Sequence, residues 1–297
     1  MNKANYILGP MRLPFLILAP ACVFLGYASA VWKGGAPNAL YVLLAVIGAV
    51  SAHISVNALN EYFDFKSGLD LKTSRTPFSG GSGTLPAAPE KSAYALVTGL
   101  ISLAVTALIG LFFILSRGPG LVPVGLLGLL VILAYTPWFN RSPLLCLIAP
   151  GIGFGTCMIL GTVYVLGGRY SWTAFFASLV PFFLVSNLLL LNQFPDVEAD
   201  RSIGRKNYPI LSGRKGAAIL YGAFTLSAYL SILLGVALGY LPAFSLLGLL
   251  SALLAIPTII GVYRNADDIG KLVPFMGFNV LITLITPVLA GIGLLLS

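Results

Sequence analysis

The segment from Trp172 to Asp200 reads WTAFFASLVPFFLVSNLLLLNQFPDVEAD. Up to Asn192 it carries no charged side chain, and about 20 such residues in an α-helix are enough to cross the roughly 30 Å hydrocarbon core of a bilayer. Three acidic residues then follow closely, Asp196, Glu198 and Asp200. The segment therefore predicts a membrane-spanning helix that leads into a polar, acidic segment.

The composition of the whole chain agrees with this interpretation. Of its 297 residues, 58% are hydrophobic and 9% are charged, against roughly a quarter charged in soluble domains. A chain with so few polar side chains cannot cover its own surface in water, so we expect an integral membrane protein. Uncharged apolar runs predict nine spans, at approximately Leu13–Trp32, Ala39–Asn60, Ser92–Ser116, Leu121–Tyr135, Pro143–Leu166, Trp172–Phe194, Gly216–Gly239, Pro242–Tyr263 and Val273–Leu296.

A similar acidic segment lies earlier in the chain, and we call it the first motif; the acidic segment after Trp172 is the second motif. Each motif has an asparagine, an aspartate four residues later and a further aspartate. The first reads NEYFDFKSGLD, from Asn60 to Asp70, and the second reads NQFPDVEAD, from Asn192 to Asp200. Four of the predicted spans separate the two motifs, so both would lie on the same side of the membrane. We therefore expect an all-α bundle of nine transmembrane helices with a parallel internal repeat, forming one domain over residues 1–297 with motif loops at about 60–91 and 192–215.

The basic residues predict the orientation of the chain. With this arrangement of spans, 14 of the 17 lysines and arginines fall at the N-terminus and in alternate loops, together with all nine acidic residues. Cytoplasmic loops are enriched in lysine and arginine, so we expect the N-terminus and both motifs to face the cytoplasm. The net charge of +8 is explained by this topology and by contact with anionic membrane lipids, and we expect no nucleic-acid partner.

The two motifs favour a site for a hard metal ion. Residues four apart share one face of a helix, so Asn60 would lie beside Asp64, and Asn192 beside Asp196 and Asp200. Converging carboxylates need a cation to neutralise them, and an all-oxygen ligand set suits Mg²⁺, which commonly binds substrate phosphates as well. Two such motifs that face each other indicate a diphosphate ester as the substrate.

Two other interpretations of these motifs are open. One acidic motif alone can be a solvated helix end, although the repeat and the shared side of the membrane favour a functional site. A transporter would also have many apolar helices interrupted by proline. Transporters usually carry ionisable groups near the bilayer midplane, however, whereas these carboxylates fall at the ends of spans.

Around the motifs, the sequence resembles the UbiA superfamily of membrane prenyltransferases over nearly the whole chain. The form DFKSGLD at Asp64–Asp70, together with NQFPDVEADRSIGRK at Asn192–Lys206, is similar to the branch that prenylates 1,4-dihydroxy-2-naphthoate. Further similarities are Arg12-Leu-Pro14 at the start of the first span and Ala134-Tyr-Thr-Pro137.

The resemblance implies a fold, an activity and a cofactor. The expected reaction is Mg²⁺-dependent transfer of a prenyl group from a polyprenyl diphosphate to an aromatic acceptor through an allylic carbocation, with 1,4-dihydroxy-2-naphthoate, a quinone precursor, as the expected acceptor. Transfer to 4-hydroxybenzoate, homogentisate or a glycerol-phosphate lipid stays open, as does the oligomeric state. The metal ligands that the resemblance implies are Asn60, Asp64, Asp70, Asn192, Asp196 and Asp200.

Basic and aromatic residues complete the predicted site. Basic groups on the inner side would neutralise the departing diphosphate, and aromatic faces can stabilise a carbocation. The only histidine, His53, lies about 10 Å deeper than Asn60 along the same helix, and we expect it to be hydrogen-bonded within the bundle. The predicted catalytic residues are Asp64, Asp196, Arg141 and Tyr135; the predicted diphosphate-binding residues are Lys66, Lys72, Arg75, Arg141 and Lys206; and the aromatic residues at the expected depth are Tyr62, Phe63, Tyr135 and Phe194.

Overall fold

The computed structural model describes residues 3–297, and within this range it contains helices and no β-strand. A helix satisfies every backbone hydrogen bond inside one segment, which is what an apolar chain needs where water is absent. The main helices are α1 (Lys3–Met11), α2 (Leu18–Trp32), α3 (Ala39–Lys66), α4 (Ser92–Arg117), α5 (Val122–Ala134), α6 (Pro143–Gly167), α7 (Trp172–Asn192), α8 (Val197–Ser202), α9 (Tyr208–Ala237), α10 (Ala243–Arg264) and α11 (Ile269–Leu295).

Seven helices of the described range are long and apolar enough to cross a membrane: α3, α4, α6, α7, α9, α10 and α11. The pair α1 and α2, bent by 47°, would together make an eighth. The predicted fourth span is a shorter apolar helix, Pro119–Ala134. The predicted all-α membrane fold is confirmed, although two of the nine predicted spans are not single full-length helices. The division of the chain into one domain stays a prediction.

The first predicted span is broken near its start. After α1 ends, Arg12 adopts the left-handed conformation with φ of 53°. A 3₁₀ turn, Leu13–Phe15, then precedes α2. Pro14 explains the break, because proline has no N–H to donate and disfavours helical geometry in the residue before it.

Helix α3 continues past the predicted end of its span. Asn38 caps its N-terminus by accepting hydrogen bonds from the backbone of Leu40 and Tyr41. The helix ends at Lys66, and Gly68 follows with φ of 79°, a conformation that glycine adopts without a Cβ penalty. The first motif loop therefore begins after Lys66, and Asn60 and Asp64 lie one turn apart on a continuous helix.

The second motif has a different backbone. Helix α7 ends at Asn192, and the short helix α8 begins only at Val197. The prediction that Asn192, Asp196 and Asp200 share one face of a single helix is therefore wrong, because Pro195 ends the helix before the motif is complete. Helix α9 then starts inside the predicted loop and is kinked at Gly213 before the predicted span.

Helix α7 lies at the centre of the bundle, since 72% of its apolar stretch is buried. It packs against α2, α6, α9 and α11. Helix α6 comes close to it through a π-helical turn, Ile152–Cys157. A Cβ on Gly151 or Gly155 would lie within 2.4 Å of a backbone atom of Phe182, so only glycine permits this approach. Helices α3 and α4 pack side by side, and a cavity lies between α3, α4, α5 and α6.

Candidate active site

The first motif begins on the last turns of α3. Asn60 donates through Nδ2 to Asp64 Oδ2 at 3.0 Å and to the Thr136 hydroxyl at 3.1 Å. The spacing of four residues thus brings Asn60 and Asp64 together, as predicted. Thr136 follows α5, so this hydrogen bond also connects α3 to the segment after α5. Asp64 is buried, with 7% of the residue exposed.

Asp70 lies beyond the helix, in a 3₁₀ turn that Gly68 makes possible. Its Oδ2 atom is buried without a hydrogen-bond partner in the described part of the chain. The backbone of Gly81 lies against the same carboxylate, because a Cβ at this glycine would lie 3.2 Å from Asp70 Oδ1. Burial raises the pKa of Asp70 to about 7, and the charges of Asp64 and Glu61 add to this increase. Asp70 therefore presents an unsatisfied oxygen that a ligand could use.

Asp196, at the start of the second motif, is connected to the loop that follows Asp70. The Thr73 hydroxyl donates a hydrogen bond to Asp196 Oδ1. Burial raises the pKa of Asp196 to about 6, and the hydrogen bond from Thr73 opposes this increase. The two motif loops therefore meet at Thr73 and Asp196.

Asp200, on α8, has partners at both carboxylate oxygens. Asn207 Nδ2 donates to Oδ2 at 2.8 Å, and Arg205 Nη1 donates to Oδ1 at 3.1 Å. The other terminal nitrogen of Arg205 donates to Asp64 Oδ1 in the first motif. Arg205 therefore joins the two motifs by bridging one carboxylate from each.

A second arginine approaches the first motif from the N-terminal segment. Arg12 donates through Nε to Glu61 Oε1 at 3.0 Å and, more weakly, through Nη2 to Asn60 Oδ1 at 3.4 Å. Glu61 is fully buried, and it also accepts hydrogen bonds from the backbone and side chain of Ser82. The left-handed backbone of Arg12 costs energy for a residue with a Cβ, and here it accompanies an ion pair with a buried carboxylate.

A cavity of about 400 Å³ opens beside the motifs. Asn60 and Asn192 both line it, as do Arg12 and Tyr135. Away from this polar end, its walls are mostly aliphatic and aromatic. The shape and lining suit a ligand with a polar head near the carboxylates and an apolar tail. Among the apolar lining residues are Ala52, Val56, Ile109, Phe113, Leu121, Val131, Phe154 and Val165.

The five predicted diphosphate-binding cations all lie exposed on the protein surface: Lys66, Lys72, Arg75, Arg141 and Lys206. Lys66 stands 5.7 Å from the ring centre of Tyr62. Lys72 donates to Ser202 Oγ at 3.2 Å, and Arg75 donates to the Ser82 carbonyl at 3.2 Å. The guanidinium groups of Arg12 and Arg205 instead contact predicted metal ligands.

The four predicted aromatic side chains lie in different surroundings. Tyr135 lines the cavity, whereas Phe194 is fully buried in a core cluster with Leu190 and Leu191. The rings of Tyr62 and Phe63 pack against each other with centres 5.5 Å apart. Tyr135 is therefore the one of these four side chains for which the cavity lining supports the prediction.

His53 also lines the cavity, and its ring packs edge-to-face on Phe154 with centres 4.7 Å apart. The expected hydrogen bond within the bundle is not made at Nδ1, which has no partner among the described residues. An aromatic contact takes the place of the expected polar one.

Sequence reasoning missed the roles of Arg12, Glu61, Thr73, Arg205 and Asn207. Arg12 and Arg205 both lie within segments that resemble the family, and both belong to the inner group of basic residues. Charge patterning does not show which cations turn inward, because this depends on contacts between segments far apart in the chain. Glu61 flanks the predicted metal ligands in the sequence, but its spacing places it on another face of α3 from Asn60 and Asp64, so spacing alone does not indicate its contacts with Arg12 and Ser82.

Residues 18–282 match the UbiA prenyltransferase family. The chain belongs to the UbiA prenyltransferase family. The resemblance noted in the sequence is thus confirmed, and with its many apolar helices this UbiA family member is an integral, multi-pass membrane protein.

Individual relatives are more distant. The chain is 29% identical over 197 residues to a 1,4-dihydroxy-2-naphthoate octaprenyltransferase from Bacillus subtilis (strain 168), a match that covers 64% of this chain and about three-fifths, 61%, of that relative. The fold of this chain is similar to that of a digeranylgeranylglyceryl phosphate synthase, with a TM-score of 0.69 and 18% identity over 100% of both chains. A UbiA homolog from Archaeoglobus fulgidus bound to GPP and Mg²⁺ has a TM-score of 0.67 and 16% identity, over 99% of this chain and 100% of that one.

Proposed function

We propose that this protein transfers a prenyl group from a polyprenyl diphosphate to an aromatic acceptor, with Mg²⁺ as its metal ion. The observation that carries the proposal is the position of the cavity, whose apolar walls end at Asn60 and Asn192 of the two acidic motifs. A prenyl diphosphate has the matching chemistry, since its apolar chain joins a strongly anionic head. The GPP and Mg²⁺ bound to the A. fulgidus homolog support the same choice of ligands.

The motif residues fit a hard divalent ion. All of the proposed ligands offer oxygen: Asn60, Asp64, Asp70, Asn192, Asp196 and Asp200. Oxygen ligands suit Mg²⁺, which often shares them with substrate phosphates. The buried Oδ2 of Asp70 has no partner within the described residues, which is costly unless a ligand satisfies it. When bound, the ion would neutralise negative charge on the departing diphosphate.

The chain itself supplies further positive charge at this end of the cavity. Arg12 lines the cavity, and Arg205 lies between the two motifs. We place the five exposed predicted cations at the outer edge of the site, where they attract the anionic head rather than touch the reacting atoms. Arg12 and Arg205 thus join Asp64 and Asp196 as the residues on which leaving-group stabilisation depends.

The apolar walls serve the second half of the reaction. The C–O bond to the diphosphate breaks with both electrons on oxygen, which leaves an allylic carbocation at C1 of the prenyl group. Walls such as those formed by Val56 and Val131 exclude water that would otherwise capture this cation. The ring of Tyr135 lines the polar end of the cavity and can stabilise the cation through its face. A ring carbon of the acceptor then bonds to C1, and a base removes the ring proton.

We propose 1,4-dihydroxy-2-naphthoate as the acceptor. The motif forms at Asp64–Asp70 and Asn192–Lys206 support this choice, as does the name of the B. subtilis relative. The similarity to a digeranylgeranylglyceryl phosphate synthase shows the fold alone and does not select an acceptor.

Purified protein incubated with a labelled prenyl diphosphate, Mg²⁺ and a set of acceptors tests these proposals. We expect prenylation of 1,4-dihydroxy-2-naphthoate in preference to 4-hydroxybenzoate, homogentisate and glycerol-phosphate lipids. Transfer to another acceptor would overturn the choice of acceptor while leaving prenyl transfer in place. The absence of transfer to every acceptor, in protein that is monodisperse and helical, would contradict the activity itself.

We further propose that the site faces the cytoplasm, on the basis of the basic residues around both motifs. Ser67→Cys, at the end of α3, and Arg169→Cys, between α6 and α7, place exposed thiols at opposite ends of the bundle. In intact cells, a membrane-impermeant thiol reagent should label only Arg169→Cys, and after lysis it should label both. Labelling of Ser67→Cys in intact cells would contradict this orientation.

A further inference from the structure

Arg205 makes an unusual set of contacts for a loop residue. One terminal nitrogen of its guanidinium pairs with Asp200 at 3.1 Å and the other pairs with Asp64. Its side chain is only 16% exposed. The backbone N–H of Arg205 also donates to the Asp200 carbonyl at 3.1 Å. The cation is therefore fixed in place by its own chain as well as by the two carboxylates.

With these contacts, every oxygen of the two carboxylates has a partner. Asp64 uses its remaining oxygen to accept from Asn60, and Asp200 uses its remaining oxygen to accept from Asn207. Asp64 and Asp200 therefore already share a cation that a metal ion would have to compete with, whereas Asp70 keeps an oxygen without a partner within the described residues.

The same arrangement explains a second observation. Within residues 3–297, no three acidic, histidine or cysteine side chains form a ready metal-binding group, although the motif aspartates lie close enough to affect one another's charge. Mg²⁺ needs ligand oxygens at about 2.0–2.1 Å in near-octahedral geometry. A guanidinium that pairs with both Asp64 and Asp200 keeps one oxygen of each carboxylate engaged.

We propose that Arg205 is an internal competitor of the divalent metal ion: it neutralises Asp64 and Asp200 in the metal-free protein, and metal binding must displace it from at least one of them. The inference rests on the proposed metal site at these carboxylates. It gives Arg205 two opposite effects, because the same contacts that stabilise the metal-free protein weaken its affinity for metal.

Mn²⁺ titration of purified protein tests the proposal, with the free ion counted by electron paramagnetic resonance. Arg205→Gln removes the competing cation. Arg201→Gln is the matched control, because Arg201 lies four residues away, is exposed and, within the described part of the chain, pairs only with Glu198 on α8. The control therefore removes the same charge from a position outside the metal site. We expect the Kd for Mn²⁺ to fall about fivefold or more in Arg205→Gln, and to change by less than about twofold in Arg201→Gln. An equal or weaker affinity in Arg205→Gln than in the wild type would overturn the proposal.

Thermal unfolding tests the other effect of Arg205, the stabilisation of the metal-free protein. Metal-free Arg205→Gln should melt at a lower temperature than the wild type, and saturating Mn²⁺ should raise its Tm by more than it raises that of the wild type. If Arg205→Gln does not fold without metal, Arg205→Lys is titrated in its place. Lysine keeps the charge but lacks the planar fork that bridges two carboxylates, so it too should bind Mn²⁺ more tightly than the wild type; unchanged or weaker binding overturns the inference.

The failure of this inference can be told apart from the failure of the proposed function. Mn²⁺ binding by the wild type with an unchanged Kd in Arg205→Gln would refute the competition alone. The absence of Mn²⁺ binding by both proteins would refute the metal site, and the competition with it.

Discussion

The two acidic motifs are similar in sequence but differ in structure. The first continues along α3 to Lys66, turns at Gly68 and leaves Asp70 with an unpartnered oxygen. The second is broken at Pro195, and both oxygens of Asp200 are held by neighbouring side chains. The comparison shows that repeated residue types need not have repeated roles. We infer that Asp70 of the first motif offers a ligand oxygen without a partner within the described residues, whereas Asp200 of the second is held by its neighbouring side chains.

The largest expected effect tests whether both motifs serve the same chemistry. Asp64→Asn and Asp196→Asn should each lower kcat for prenyl transfer by about 100-fold or more, because each removes charge from the centre that neutralises the leaving group. Glu198→Gln, an exposed acid of the same segment, should leave kcat unchanged. If either aspartate variant keeps more than about a tenth of the activity, equivalent to a loss of only ~1.4 kcal/mol, that motif has no metal role.

The difference between Asp70, which has an unpartnered oxygen within the described residues, and Asp200, whose oxygens are both held, should appear in the free energy of unfolding of the metal-free protein. Asp200→Asn should lower the free energy of unfolding of the metal-free protein by about 2 kcal/mol, since it weakens charge-assisted hydrogen bonds inside the bundle. Asp70→Asn should cause no such loss, because its carboxylate is incompletely satisfied. Thermal melting in the presence of a chelator measures both variants, and equal losses would remove the distinction between the motifs.

The pH dependence should also differ between the motifs. The pKa of Asp70 is raised to about 7 and that of Asp196 to about 6, both above the usual value, so the folded metal-free protein holds these protons more tightly than the unfolded chain. Its stability should therefore rise as the pH falls through 7 and 6, while Mn²⁺ affinity falls because protons compete for the same oxygens.

Between about pH 7.5 and pH 5.5 we expect at least about a tenfold loss of Mn²⁺ affinity. Titrations of the wild type and Asp70→Asn at both pH values provide the measurement. The variant should have the flatter profile, since it lacks the group with the higher pKa. A profile that is equally steep in both proteins would show that Asp70 does not control metal binding.

The smallest expected effect concerns the contact between the motif loops. Thr73→Val removes the hydrogen bond to Asp196 with little change in volume, and should lower Mn²⁺ affinity about threefold, as expected for one such bond. Thr73→Ser keeps the hydroxyl and should restore wild-type affinity. Identical affinities of the valine and serine variants would mean that the loops act independently.

Much of this architecture is contained in local sequence. The uncharged run to Asn192 predicts α7 correctly, and the spacing of Asn60 and Asp64 predicts their contact on α3. The spacing argument fails at Asp196 and Asp200 because Pro195 lies between Asn192 and these residues and ends the helix. A spacing of four residues indicates a shared helix face only where no proline interrupts the helix.

The inward-facing cations could not be predicted in this way. Arg205 reaches a carboxylate 141 positions away in the chain, whereas its neighbour Lys206 is exposed. No local pattern distinguishes these two cations, because tertiary contacts alone decide which one is buried. The N-terminal Arg12 presents the same difficulty, since its direction depends on the break at Pro14 and on the partner Glu61.

The position of Glu61 has a consequence for how the protein is made. Its partners Arg12 and Ser82 lie within 49 and 21 residues of it in the chain, so this part of the site can assemble while the ribosome is still synthesising α4. Chains generally acquire structure from the N-terminus during synthesis. Asp64, in contrast, must wait for Arg205, which follows only after the five helices α4 to α8 have been made. During that interval the nascent chain holds an incomplete site in which Asp64 lacks its basic partner.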